Sequence, residues 1–139
     1  MAIKYSVVYL AALMTFLVID GVWLGVVARS FYVQQIGHLL RPAPNFSVAG
    51  LFYVIYVIGV VVFAVLPAIS QQSWQTAVML GALLGFIAYG TYDLTNLATV
   101  ENWPVLVSIV DMVWGSVLTA IVALAGYNAA RFMFHGTSP

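Results

Sequence analysis

Ala77-Val-Met-Leu-Gly-Ala-Leu-Leu-Gly-Phe-Ile-Ala88 runs without a break into Tyr89-Gly-Thr-Tyr-Asp-Leu-Thr-Asn96. The first half is apolar enough for a membrane helix. The second half closes that helix with a carboxylate, a carboxamide and two phenols. Tyr89, Tyr92, Asp93 and Asn96 stand at i, i+3, i+4 and i+7, which predicts that all four project from one helix face. Lipid chains offer no hydrogen bonds, so a face this polar has to look into protein, a partner or a wet cavity. Gly81 and Gly85 share roughly that face, and a small-xxx-small step lets another backbone approach closely. The face is therefore expected to pack tightly at one end and to be polar at the other.

Working outward, the rest of the chain has the same character. Of its 139 residues, 64% are hydrophobic and 6% charged, whereas a soluble domain carries roughly a quarter charged. This is the composition of an all-α integral membrane protein. Four transmembrane helices are expected in a single bundle, at about 4–28, 46–69, 74–98 and 104–130, each exceeding the roughly 20 residues that span a bilayer. The apolar run in residues 1–28 is too long for a signal peptide and has no small-residue cleavage site, so it reads as a span. Between the first two spans lie Arg29, Gln34, Gln35, His38 and Arg41, interleaved with Phe31, Tyr32, Ile36, Leu39 and Leu40 and followed by Pro42 and Pro44. That mixture fits a short interfacial helix stopped by prolines; an ordinary polar loop is the other reading. Ser70-Gln-Gln-Ser73 makes the second and third spans antiparallel neighbours. Trp103 suits an interface belt, and Pro104 a helix start.

The totals also exclude some chemistry. Formal net charge is zero and there is no basic run, which argues against nucleic acid as a partner. There are no cysteines, so thiol catalysis, disulfides and iron–sulfur ligation are ruled out. No nucleophile elbow, zinc-protease helix, P-loop or dinucleotide fingerprint is present. No cofactor is implied, and nothing decides whether the protein is an enzyme.

Three acids fall inside the spans: Asp20, Asp93 and Asp111. Four spans put the termini on one side and the two longer connections on the other, the loop side. At 1.5 Å per residue, all three acids sit roughly 7–12 Å beneath the loop-side surface. Asn96, Tyr92, Trp23 and Trp114 fall in the same slab. Asp20-Gly-Val-Trp23 and Asp111-Met-Val-Trp114 repeat one D-x-x-W spacing; two hits of so short a pattern prove no duplication, but a true repeat would have the first and fourth spans give equivalent groups to one site. A charged Asp at the centre of a span costs about 2.5–3.5 kcal/mol on insertion scales. Each must be protonated, paired, hydrogen-bonded or hydrated. Arg29 and Arg41 are the nearby cations and His38 a further helper; if the arginines folded down as counter-ions, about one carboxylate would be left to carry a proton.

Two readings of the acids stay open. One is a site for a proton, a cation, a lipid headgroup or another small polar ligand, with Asp93 central, Asp20 and Asp111 flanking, Asn96 and Tyr92 orienting the ligand and Tyr89 beside them. The other is interhelical glue, each Asp accepting from an indole, phenol or amide. For Trp23 and Trp114 the structural alternative is bulky packing with an N–H handle. Lys4 and Arg131 read as interface anchors.

The motifs Asp20–Gly25, Ile36–Leu40, Leu51–Tyr56, Tyr92–Thr99 and Asp111–Gly115 resemble a family of small bacterial inner-membrane proteins catalogued as domain of unknown function 2177. Tyr92-Asp-Leu-Thr-Asn96 is the most specific part. The resemblance implies a four-helix, multi-pass protein of the bacterial inner membrane and brings no activity with it. Three functions follow as expectations. The first is a carboxylate-lined site used in transport or proton-coupled exchange. The second is an accessory subunit of a larger membrane complex, or a homo-oligomer, with structural Asp residues. The third is a metal-dependent enzyme acting on lipid, with Asp and His38 as ligands.

Overall fold

The computed structural model of the chain describes residues 1–135 and is helical almost throughout. Helix α1 (Ala2–Val22) ends in a π-helical turn, Trp23–Val27. A short α2 (Arg29–Ile36) and a 3₁₀ turn, Gly37–Leu39, follow. Next come α3 (Phe46–Val60), a second π turn (Val61–Val65) and α4 (Leu66–Ser70), which together make one continuous span. Helices α5 (Trp74–Thr99) and α6 (Val105–His135) complete the chain. Four segments are long and apolar enough to cross a bilayer: Ala2–Val27, Phe46–Ser70, Trp74–Thr99 and Val105–Phe134. The expected four-helix architecture is therefore present, and the segment after the first span is a helix rather than a polar loop. The last helix runs past its expected end near 130 to His135; the remainder of the polar tail lies outside the described residues.

Local chemistry explains the ends. The Asn45 side chain accepts from the Val48 N–H at 3.2 Å, and Ser73 Oγ from the Thr76 N–H at 3.2 Å. Each satisfies a donor that the first turn would leave orphaned. The two short turns are closed by left-handed residues, Gln72 (φ 52°) and Asn102 (φ 58°). Pro67 has no N–H to give, and the wide π turn just before it accommodates the break. The first π turn ends at Ala28, whose N–H donates to the Trp23 carbonyl at 2.8 Å. There the chain leaves the span and turns into α2.

The glycine step in α5 packs on α6. A Cβ at Gly81 would meet the Thr119 carbonyl at 2.8 Å and the Ala123 Cβ at 2.9 Å. One at Gly85 would collide with the Gly115 carbonyl, and one at Gly115 with the Tyr89 ring. Small residues thus let the backbones touch, and Gly115 leaves a seat for Tyr89. The core behind this contact is apolar: Phe16, Val57, Val60, Leu118 and Val122 are fully buried. Phe16 packs on Tyr53 and Tyr56 with ring centroids 4.9 and 5.7 Å away.

A second, smaller cluster of Ile36, Trp103 and Val107 sits at the loop end, with Phe31, Tyr32 and Leu97 against it. It pins α2 across the mouth of the bundle. One expectation is corrected here. Trp103 is buried rather than in an interface belt, its indole donating to Ser108 Oγ at 3.1 Å. Phe63 does not share the inward face of Tyr56, because the π turn after Val60 changes the helical register. Outside, the spans are apolar and open: at most 33% of any span's most hydrophobic window is buried in the bundle. That surface is what lipid chains cover.

Candidate functional site

The loop-side third of the bundle holds all three intramembrane acids, and they are buried. Asp20, on α1, is held from two sides. The Trp114 indole donates to Oδ1 at 3.2 Å and the Tyr53 hydroxyl to Oδ2 at 3.0 Å. Both oxygens of this carboxyl group have a donor, and its partners come from α3 and α6. Asp20 therefore ties three spans together.

Asp111, on α6, is held from above. The Tyr32 hydroxyl of α2 donates to Asp111 Oδ1, and the Trp23 indole donates to the Tyr32 oxygen at 3.2 Å. The Trp23 and Trp114 rings stack at 4.1 Å with 9° between planes. The D-x-x-W echo thus has a reciprocal geometry: the Trp of the fourth span serves the Asp of the first, and the Trp of the first reaches the Asp of the fourth through Tyr32. Burial, and next the bond to Asp111, push Tyr32 well above the ordinary phenol range. It stays a neutral hydroxyl, able to donate.

Asp93, on α5, differs from both. It is 0% exposed, and neither Oδ1 nor Oδ2 has a hydrogen-bond donor. Only its backbone carbonyl is served, by Ser108 Oγ at 3.1 Å. Its carboxyl group lies within side-chain hydrogen-bonding reach of Asp111. Written as two carboxylates, the pair has no donor between them. Written with one proton between them, it closes.

The remaining expected site residues divide by position. Tyr89 is half-buried, seated on Gly115 and within electrostatic range of Asp20 and Asp111. Tyr92 is 55% exposed, and its ring stands edge-on to Trp103 at 5.7 Å. It does not share the buried direction of Asp93, because consecutive helix residues are about 100° apart and the bundle boundary falls between them. Asn96 is partly buried and lies beside Tyr92. Arg29, His38 and Arg41 are all exposed. The groups acting on the three acids are indoles, phenols and the acids themselves, with no arginine among them. Arg29 and Arg41 do not fold down as counter-ions; both stay at the surface, where water solvates them better than an apolar bundle. Among the described residues no three His, Asp or Glu side chains gather as metal ligands, so His38 and the acids do not form the mixed site expected of a metal enzyme.

Tyr32, Tyr53 and Ser108 belong to this network and were not among the expected site residues. Below them, Tyr56 and Thr119 share a hydrogen bond of 2.8 Å. A groove of about 290 Å³ runs along the outside of the stacked tryptophans, lined by Val18, Ile19, Val22, Trp23, Val27 and Trp114. Its lining is apolar.

A family model described as predicted membrane protein (DUF2177) matches residues 5–128. No curated protein and no solved structure matches the chain.

Proposed function

We propose, from the premise that this chain belongs to the DUF2177 family of predicted membrane proteins, that it is a multi-pass protein of the bacterial inner membrane whose Asp93–Asp111 pair binds one proton and exchanges it for a small cation. One observation carries this reading: Asp93 is completely buried with both carboxyl oxygens undonated. An ionised carboxylate in that position would lack every compensation that burial demands. A proton between the two acids removes one charge, gives Asp93 its hydrogen bond and leaves Asp111 an acceptor for Tyr32. On losing that proton, the pair becomes two anions with carboxylate oxygens suited to a hard cation. Two acids sharing one proton because both cannot ionise together is a familiar electrostatic solution. Tyr89 and Tyr92 lie within electrostatic range of the pair, and Trp23 reaches it through Tyr32.

Infrared spectroscopy of the purified protein tests this directly. The carbonyl stretch of a neutral carboxylic acid is expected near neutral pH, and Asp93→Asn and Asp111→Asn should each remove it. A wild-type spectrum without that band, or a band that survives both substitutions, overturns the reading.

Asp20 supports the structural reading for itself alone. Both its oxygens are satisfied by side chains of other spans, which is what interhelical glue requires. The Gly81–Gly85 step is already occupied by α6 of the same chain. It therefore lends no support to assembly with a second copy or a larger partner.

A further inference from the structure

The Asp93–Asp111 pair is buried, so a proton must have a way in. The polar side chains above and below it are not equivalent. Above, Tyr32 bonds directly to Asp111. It belongs to α2, outside the four spans, and is half-buried at the bundle mouth. Its neighbours Ser30, Val33 and Gln34 are exposed. Below, Tyr56 and Thr119 share a hydrogen bond. Thr119 lies eight residues along α6 from Asp111, or roughly 12 Å. Beyond it Val60, Ala64, Val65, Val122 and Ala123 are all fully buried. Among the described residues, the next buried side chain with a polar atom along α6 is Tyr127, past that apolar layer.

We propose that Tyr32 is the port through which the carboxyl pair exchanges its proton with water, and that in this conformation exchange is confined to the loop side. The inference rests on the shared-proton reading above and adds the route and its side. In the inward step, the Tyr32 hydroxyl proton passes to Asp111 Oδ1 while a hydronium ion outside places a proton on the Tyr32 oxygen. One O–H bond breaks and one forms at Tyr32, so no phenolate accumulates. The outward step is the reverse. Trp23 contributes by donating to the Tyr32 oxygen, which holds the hydroxyl in line with Asp111. Tyr32 acts as a carrier, and Trp23 as a positioning residue.

Hydrogen–deuterium exchange of the carboxylic acid band, followed by infrared spectroscopy after transfer of the reconstituted protein to D₂O, separates the possibilities. In Tyr32→Phe the band should remain but shift to its deuterated position more slowly, by about a hundredfold, the low end of what a positioned proton carrier contributes. Tyr56→Phe, on the opposite side of the pair, should exchange at the wild-type rate. An unchanged or faster rate in Tyr32→Phe overturns the port, and a slowed rate in Tyr56→Phe overturns the one-sided route. Absence of the band from the wild-type protein overturns the shared proton itself, a failure distinguishable from the other two.

Discussion

At the scale of single residues, Asp93 and Asp20 make opposite claims. Asparagine at position 93 is nearly isosteric, and its amide can donate to Asp111. Asp93→Asn should therefore keep the fold, with thermal unfolding in detergent close to wild type. It should also abolish cation-driven proton movement in sealed vesicles carrying a pH-sensitive dye. At Asp20 the consequence is structural. Tyr53→Phe or Trp114→Phe each removes one of its two donors and should lower stability by about 1–3 kcal/mol, read from detergent unfolding midpoints. The acids and the two tryptophans were legible because intramembrane charge is conspicuous in an apolar sequence. Tyr32 was not. It lies in a mixed polar segment where a tyrosine carries no signal, and only the docking of α2 brings it over Asp111. Tyr53 left a faint one, since it stands in an uncharged span close to the depth of Asp20.

At the scale of elements, the contact between α5 and α6 depends on three positions without side chains. Gly85→Ala and Gly115→Ala should each destabilise the protein by about 1–3 kcal/mol, the usual cost of overpacking, because an added Cβ meets backbone or an aromatic ring. Gly25→Ala, where nothing lies within 4 Å, should stay within about 0.5 kcal/mol of wild type. The same detergent unfolding series reads all three. The glycine step could be recognised from spacing alone, and so could the four spans, since length and hydropathy decide both. The π turns could not. Trp23–Val27 and Val61–Val65 hold ordinary apolar residues, and a turn with one extra residue follows from packing and from Pro67 rather than from local composition. That hidden register change also explains why Phe63 faces outward.

At the scale of the whole molecule, four apolar spans hold a buried network with no cation among the described residues. Orientation is finely balanced. Lys4 and Arg131 lie on the terminal side, Arg29 and Arg41 on the loop side, so the count of positive residues that governs topology is even. One added charge should decide it. Gln71→Lys, in the short turn on the terminal side, should enrich molecules with their termini in the cytoplasm, measured with terminal reporter fusions; an unaltered distribution would show that other features set topology.

The depth of the carboxyl pair has an electrical consequence. Asp93 is six residues before the end of α5 at Thr99, and Asp111 six after the start of α6 at Val105, which is roughly 9 Å in each case. That is about a third of a hydrocarbon layer about 30 Å thick. A unit charge crossing the full layer exchanges about 2.3 kcal/mol per 100 mV, so a proton reaching this depth from one face senses roughly 0.8 kcal/mol. Polarising vesicles by that voltage should alter the ratio of filled to empty sites about fourfold, and reversing the polarity should reverse the change. A cell's resting potential would thus act on this small bundle as a bias, loading or unloading it before any solute arrives.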